Sequence, residues 1–197
     1  ELNAVKVKTV NLNSDFQIDV TKTLNEISEQ TKLIFICTPN NPTGNAMFRE
    51  DIIQLLNQFN GIVVIDEAYQ DFSNQKSMLE SLNDFNNLVV MQTFSKAFGL
   101  AGARLGMCFA SPEIIQHLNR IKPPYNVNQL TQDTALKQLK NTEEVQQQIH
   151  ILQEEKLKLK AALENVDWAE KVYPSNANFL LVEVDDANKR YKMLLDH

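Results

Sequence analysis

Glycine and cysteine are scarce: a chain of 197 residues holds five Gly and two Cys. Cys37 and Cys108 form no CxxC pair, and His117, His150 and His197 show no metal-ligand spacing to them. A disulfide framework and a thiolate metal cluster are thereby excluded, and a pair of reduced core cysteines in a cytoplasmic protein is expected. No Gly/Ser tract marks a flexible linker, and no repeat or low-complexity segment is present. No apolar run approaches the ~20 residues of a membrane-spanning helix. Basic residues are the minority charge: 19 Lys+Arg against 25 Asp+Glu give a net charge of −6. That sum carries no basic footprint for nucleic acid. No signal-peptide pattern opens the chain. It starts at Glu1 rather than Met and closes on Asp196-His197 with no cap after Leu194-Leu195, which reads as a piece of something longer.

What is there is an ordinary globular balance, 43% hydrophobic and 22% charged, enough for one large domain and a part of a second. Val5, Val7 and Thr9 alternate with Lys6 and Lys8, the period of a half-buried or edge strand. After Asp19, a plausible cap, Val20, Leu24 and Ile27 recur at helical spacing. Leu33 to Cys37 is a short run of strand formers closed by Pro39-Asn40-Asn41-Pro42-Thr43-Gly44. Ile52, Ile53, Leu56 and Phe59 share a helical face that Asn60-Gly61 ends. Ile62 to Ile65 and Leu88 to Met91 are further apolar strands, and Met107 to Ala110 another. The strand starts near 33, 62 and 88 lie one βαβ unit apart. Apolar strands alternating with amphipathic helices predict an α/β fold whose mostly parallel sheet is covered on both faces.

Ser111-Pro112-Glu113 starts a helix, with Ser as cap and Pro in the first turn. Pro123-Pro124-Tyr125-Asn126 breaks the chain, either as a rigid connector or as part of a substrate entrance. Helices are expected over 128–140 and 142–164. In the second, Val145, Ile149, Leu152, Leu159 and Leu163 form an apolar stripe interrupted by Lys156, suited to packing along a domain or bridging two; a coiled coil needs a longer stripe. Lys171 to Tyr173 and Phe179 to Val184 read as strands. The expected organisation is 1–141 in the large domain, 142–164 as a linking helix and 165–197 as the start of a small α+β domain.

In open parallel sheets, ligands bind outside the carboxyl ends of the strands. Three successive strands here end in polar clusters: Asn40-Asn41-Pro42-Thr43-Gly44, then Asp66-Glu67-Ala68-Tyr69, then Thr93-Phe94-Ser95-Lys96 followed by Gly99, Gly102 and Arg104. Singly, each has a plain explanation: a Pro/Gly turn, a helix-capping Asp, a solvated Lys. Together, at the ends of neighbouring strands, they form a candidate site. A lysine, a carboxylate, a tyrosine, an amide, hydroxyls and an arginine suit an aromatic cofactor carrying a phosphate. Pyridoxal phosphate fits best, because its chemistry needs a lysine for a Schiff base and an anion beside its ring nitrogen. Arginine offers a planar fork for the phosphate.

These segments, with Thr93 to Gly106 taken whole and Ser175-Asn176-Ala177-Asn178-Phe179-Leu180-Leu181-Val182 added, resemble the fold-type I, pyridoxal-phosphate-dependent aminotransferases. Within that group they are most similar to the histidinol-phosphate aminotransferases. The resemblance implies roles at matching positions. Lys96 would bind the cofactor covalently and then shuttle a proton. Asp66 would pair with the ring nitrogen, and Tyr69 and Asn41 would hydrogen-bond the phenolic oxygen. Thr93, Ser95 and Arg104 would hold the phosphate. It further implies reversible transfer of an amino group between glutamate and imidazole acetol phosphate, a step of histidine biosynthesis, in a homodimer with composite sites and small-molecule substrates.

Members of that family are longer. Their N-terminal arm, a second phosphate-binding turn, the ring-stacking aromatic residue, the arginine for the substrate carboxylate and the tyrosine supplied by the partner have no counterpart here, so these residues alone are expected to be inactive. Aromatic aminotransferases and a threonine-phosphate decarboxylase share much of the pattern. A reading from another class is a nucleotide-driven ATPase, with Ile62 to Glu67 as a Walker B strand holding Mg²⁺, but no G-x-x-x-x-G-K-[ST] motif accompanies it. A non-enzymatic scaffold leaves the joint presence of Asn41, Asp66, Tyr69, Lys96 and Arg104 without a purpose.

Overall fold

The computed structural model describes residues 5–196; His197 lies outside them. Its first helix, α1 (Val20–Asn25), begins where Asp19 accepts a hydrogen bond from the Lys22 amide. The elements that follow are β1 (Leu33–Cys37), α2 (Arg49–Gln58), β2 (Ile62–Asp66), β3 (Leu88–Thr93), β4 (Gly106–Ala110), α3 (Pro112–Ile121), α4 (Gln129–Leu139), α5 (Thr142–Leu163), β5 (Ala169–Val172), β6 (Val182–Val184) and α6 (Ala187–Leu195). Four strands make one sheet in the order β1-β2-β3-β4, and β5 and β6 make a separate two-stranded sheet.

In the larger sheet β1, β2 and β3 run parallel, while β4 returns antiparallel to β3. The expected mostly parallel sheet is therefore present. Alternation of side chains along each strand sorts residues between its faces. Ile36, Val63, Ile65, Leu88 and Val90 fall on one face, where Ile18, Val20, Ile52, Leu55, Leu56, Phe59 and Met78 pack against them. Side chains such as Ile65 and Leu88, wholly shielded, each stabilise the fold by about 1.5–3 kcal/mol. The other face is covered at its centre, at Val64 and Val89, but open along β1, where Phe35 stays 66% exposed. Covering of both faces, expected from the apolar runs, thus fails at this edge.

A second, smaller apolar cluster joins Tyr69, Phe72, Ala97, Val145, Ile149 and Ala177. It seats the first half of α5 on the loops after β2 and β3. Leu152 and Leu159 remain exposed, so the α5 stripe is buried only at its start. Other expectations also need correction. Residues 5–9 form no strand; their alternating valines lie exposed, with Val7 at 87%. β5 (Ala169–Val172) starts two residues before and ends one residue before the expected Lys171–Tyr173, β6 keeps only the last three residues of the expected Phe179–Val184, and the helix α6 has no counterpart among the expected elements. Neither cysteine is a core residue: Cys37 is half-buried and Cys108 exposed. Among the described residues no helix is long and apolar enough to cross a membrane.

Candidate functional site

Because β1, β2 and β3 are parallel, their three polar clusters end on one rim. Register then decides which way each acid points. Cys37, Asp66, Met91 and Cys108 form one row across the sheet, on the face opposite the main core. Glu67, one residue on, turns to the core side. It is 2% exposed and accepts hydrogen bonds from Ser77 Oγ (2.5 Å), the Met78 amide (2.6 Å) and Gln92 Nε2 (3.0 Å). Two adjacent carboxylates thus have separate work. Glu67 ties the end of β2 to β3 and to the 77–78 loop, while Asp66 faces a cleft. The Walker B reading has Asp66 hold Mg²⁺ with a free acid beside it, whereas Glu67 is buried and already accepts from three protein donors.

The cleft has a volume of about 530 Å³, and its walls include Asp66, Thr93, Ser95, Lys96, Arg104 and Cys108. Five of the seven predicted site residues therefore share one hollow. Asn41 and Tyr69 stand beside it as a pair: Asn41 Nδ2 donates to the Tyr69 hydroxyl at 3.0 Å. Lys96 Nζ lies 5.1 Å from the centre of the Tyr69 ring, within range of a cation–π contact. The Asn40–Gly44 segment is also the turn that its Pro and Gly suggest. The Gly44 amide donates to the Asn40 carbonyl at 2.7 Å, and Gly44 has φ +78°, a conformation that glycine adopts without a Cβ penalty.

The loop from β3 to β4 orders the lysine end of the cleft. Thr93 Oγ1 donates to the Leu105 carbonyl (3.3 Å) and accepts from the Ser95 amide (3.1 Å). Its hydroxyl is thus engaged with backbone, whereas that of Ser95 has no hydrogen-bond partner among the described residues. Arg104 adopts a left-handed backbone, φ 51° and ψ 46°, which costs a non-glycine residue about 1–2 kcal/mol. Its Nη1 donates to the Ala101 carbonyl at 3.0 Å, and the remaining guanidinium N–H groups are left for a ligand.

Burial pushes the Cys37 thiol above its usual range, with the Asp66 charge adding to the effect, and burial also raises Cys108. Both therefore stay protonated near neutrality and are poor nucleophiles. Among the residues that line the cleft, Lys96 carries the one primary amine.

Sequence reasoning missed three contributors. Phe179 packs edge-on against Tyr69, ring centres 5.1 Å apart. Asn176 joins the Asn40–Gly44 turn: its amide donates to the Gly44 carbonyl at 2.7 Å, and its Oδ1 accepts from the Ala46 amide at 3.2 Å. Lys156, read as a break in a stripe, reaches the same loop. The quoted segment Ser175 to Val182 contained two of these residues, but nothing local showed what they touch. The break at Pro123 to Asn126 does not line the Asp66–Lys96 cleft. Pro124 and Asn126 border a different hollow, with Phe94, Leu105 and Leu136.

The sequence matches the family of class I and II aminotransferases over residues 1–197. It is 51% identical over 195 residues to the histidinol-phosphate aminotransferase of Flavobacterium johnsoniae, covering 99% of this chain and 56% of that protein. With the same enzyme of Christiangramia forsetii it shares 52% over 196 residues, covering 100% of this chain and again 56% of the relative. The chain thus spans little more than half the length of these relatives. Its fold is similar to that of histidinol-phosphate aminotransferase from Sinorhizobium meliloti, solved with pyridoxal-5'-phosphate. The TM-score is 0.84 at 23% identity, over 97% of this chain and 52% of that one.

Proposed function

Since the chain belongs to the family of class I and II aminotransferases, we propose that its parent protein is a pyridoxal-phosphate-dependent transaminase. It exchanges an amino group between glutamate/2-oxoglutarate and a phosphorylated partner, histidinol phosphate/imidazole acetol phosphate, in histidine biosynthesis. The observation that carries this reading is the gathering of Asp66 and Lys96, from successive strands, in one cleft with Ser95 and Arg104. The donor set fits the cofactor: an amine for its aldehyde, a carboxylate for its ring nitrogen, a hydroxyl and a guanidinium for its phosphate. A cleft of about 530 Å³ has room for all three parts. Near-50% identity to named histidinol-phosphate aminotransferases supports the choice of substrate.

When bound, the cofactor supplies an electron sink for the carbon that loses or gains the amino group. The chain's residues do the rest. Asp66, held at the end of β2 with one oxygen accepting the Ala68 amide at 3.0 Å, would be the acid that pairs with the ring nitrogen. Tyr69 accepts from Asn41 and so keeps its own proton free to donate to the phenolic oxygen. Ser95 and Arg104 bind the phosphate, and Thr93 holds the Ser95 backbone in place. Lys96 provides the amine and then carries the proton at the reacting carbon. By family likeness the parent is a cytoplasmic homodimer acting on small molecules. Residues 1–141 form the cofactor domain, 142–164 the connecting helix, and 165–197 open the second domain.

The test uses the full-length parent protein. Borohydride treatment with cofactor present is expected to fix it on the peptide holding Lys96, and Lys96→Ala to abolish transamination. Label on another lysine, or turnover retained in Lys96→Ala, rejects the assignment. Assay against imidazole acetol phosphate, phenylpyruvate and threonine phosphate decides the substrate. Preference for either of the last two replaces histidinol phosphate while leaving the cofactor chemistry in place.

A further inference from the structure

Lys156 is a cation without an acid. It sits on α5, and among the described residues it forms no ion pair. Its Nζ donates to the carbonyls of Ser175 (3.0 Å) and Ala177 (2.6 Å). Burial of the amine lowers its pKa from the usual lysine value, so this placement has a cost that a leucine in the stripe would not carry. Two charge-assisted hydrogen bonds offset that cost and fix the backbone at residues 175–177.

That loop is the backing of the Asn41–Tyr69 pair, along two routes. The first runs through the turn that bears Asn41. The Asn176 amide and Oδ1 engage the Gly44 carbonyl and the Ala46 amide, and Ser175 packs so closely on Gly44 that a Cβ there would come within 2.7 Å of Ser175 Oγ. The second runs through Tyr69. Ser175 Oγ donates to the Phe179 carbonyl at 2.6 Å, Phe179 lies edge-on to the Tyr69 ring, and Ala177, fully buried, packs with Tyr69 and with Ala97 beside Lys96.

We propose that Lys156 is a positioning residue for the reaction. By clamping the Ser175 and Ala177 carbonyls it holds the 175–179 loop against Gly44 and Tyr69, and so sets the Asn41–Tyr69 pair at the cofactor's phenolic oxygen. The destination of the clamp rests on the transaminase reading; the clamp itself does not.

The experiment compares Lys156→Met, which keeps the apolar stem and removes the donors, with Lys156→Arg, which restores donors. Amide hydrogen exchange is measured first on full-length protein without cofactor. In Lys156→Met, peptides covering 40–47 and 173–180 are expected to exchange roughly tenfold faster, with strands 62–66 and 88–93 unchanged. Lys156→Arg is expected to exchange like the parent. With cofactor loaded, Lys156→Met lowers kcat more than it raises KM, and in a Tyr69→Phe background it adds little further loss, because both changes act through one hydroxyl. Faster exchange at 173–180 without change at 40–47, or faster exchange across the whole sheet, overturns the proposal, as does full additivity with Tyr69→Phe. If Lys156→Met does not fold, Asn176→Ala takes its place, removing the next contact on the first route; unchanged exchange at 40–47 in that variant is equally fatal. Failure of borohydride to label Lys96 would reject the transaminase reading and leave the exchange result standing.

Discussion

The two sheets of this chain are stabilised in different ways. In the four-stranded sheet, β2 and β3 bury Val63, Ile65, Leu88 and Val90 completely beneath α2. In residues 165–196, Ala177 is the one buried residue among those described, and β5 and β6 have no side chain fully shielded. That region is held by surface contacts instead. Arg190 forks onto Asp185 through Nε (2.8 Å) and Nη2 (2.6 Å) and stacks over Trp168, and the Tyr173 hydroxyl donates to Glu183 at 2.9 Å. Exposed pairs of this kind each contribute little. The difference teaches that the first region owns its stability, whereas the second borrows order by docking on α5 and on the Asn40–Gly44 turn. The candidate site lies where the stable sheet meets that docked loop.

Truncation in the core gives the largest contrast. Ile65→Ala removes a fully buried side chain and is expected to cost about 2–5 kcal/mol in denaturant unfolding. Val184→Ala, in the half-buried β6, is expected to cost less than about 1 kcal/mol. Similar losses from the two substitutions would break the comparison and give the second sheet a core of its own.

The same contrast explains what was readable beforehand. Leu33–Cys37 was legible to the residue, because a run of strand formers ended by Pro39 has one economical conformation. The runs Ile62 to Ile65 and Leu88 to Met91 were legible for the same reason, although the strands continue to Asp66 and Thr93, and their shared direction brought the polar ends together. Val5 to Thr9 imitates a strand, yet its alternation meets no partner, and a strand needs a ladder. α6 escaped notice because Tyr191, Leu194 and Leu195 face solvent and make no stripe. Within the site, Asp66 and Lys96 could be found because their chemistry is in their side chains. Glu67, Lys156 and Asn176 act through hydrogen bonds to residues distant in sequence, Ser175 being 19 positions from Lys156. Charge and spacing alone do not reveal such partners.

An intermediate effect is expected at the seam between the core and the site. Glu67→Ala leaves the Met78 amide and the Gln92 side chain without their acceptor, and burial there makes the loss cost about 1–3 kcal/mol. Because Gln92 precedes Thr93, activity of the parent should fall along with stability, and Tm should drop more than for any single substitution in β5 or β6. A variant that loses stability but retains full kcat would show that the core and the cleft are uncoupled at Glu67.

The smallest effect, and the one most particular to the second region, is a response to acid. The hydrogen bonds from Arg190, joined by that of the Asp186 amide and by the charges of Arg190 and Lys189, hold the Asp185 carboxyl down at about 2, against the ordinary value of 3.8. A depressed carboxylate stabilises the folded state above its unfolded pKa, and that contribution disappears as pH falls through the folded value. The window is therefore the fall from about pH 4 to about pH 2. Trp168 is the single tryptophan of the chain and lies under the Arg190 guanidinium, so its fluorescence reports this region alone. Emission should change across that window in the parent, and Asp185→Asn should show the acid-end signal already at neutral pH. The pair is exposed, so added salt should weaken the response, while the Ile65→Ala penalty, being apolar, should persist. A Trp168 signal that tracks global unfolding in both proteins would mean that the second region is not held by this pair, and that docking through the 175–179 loop carries its order alone.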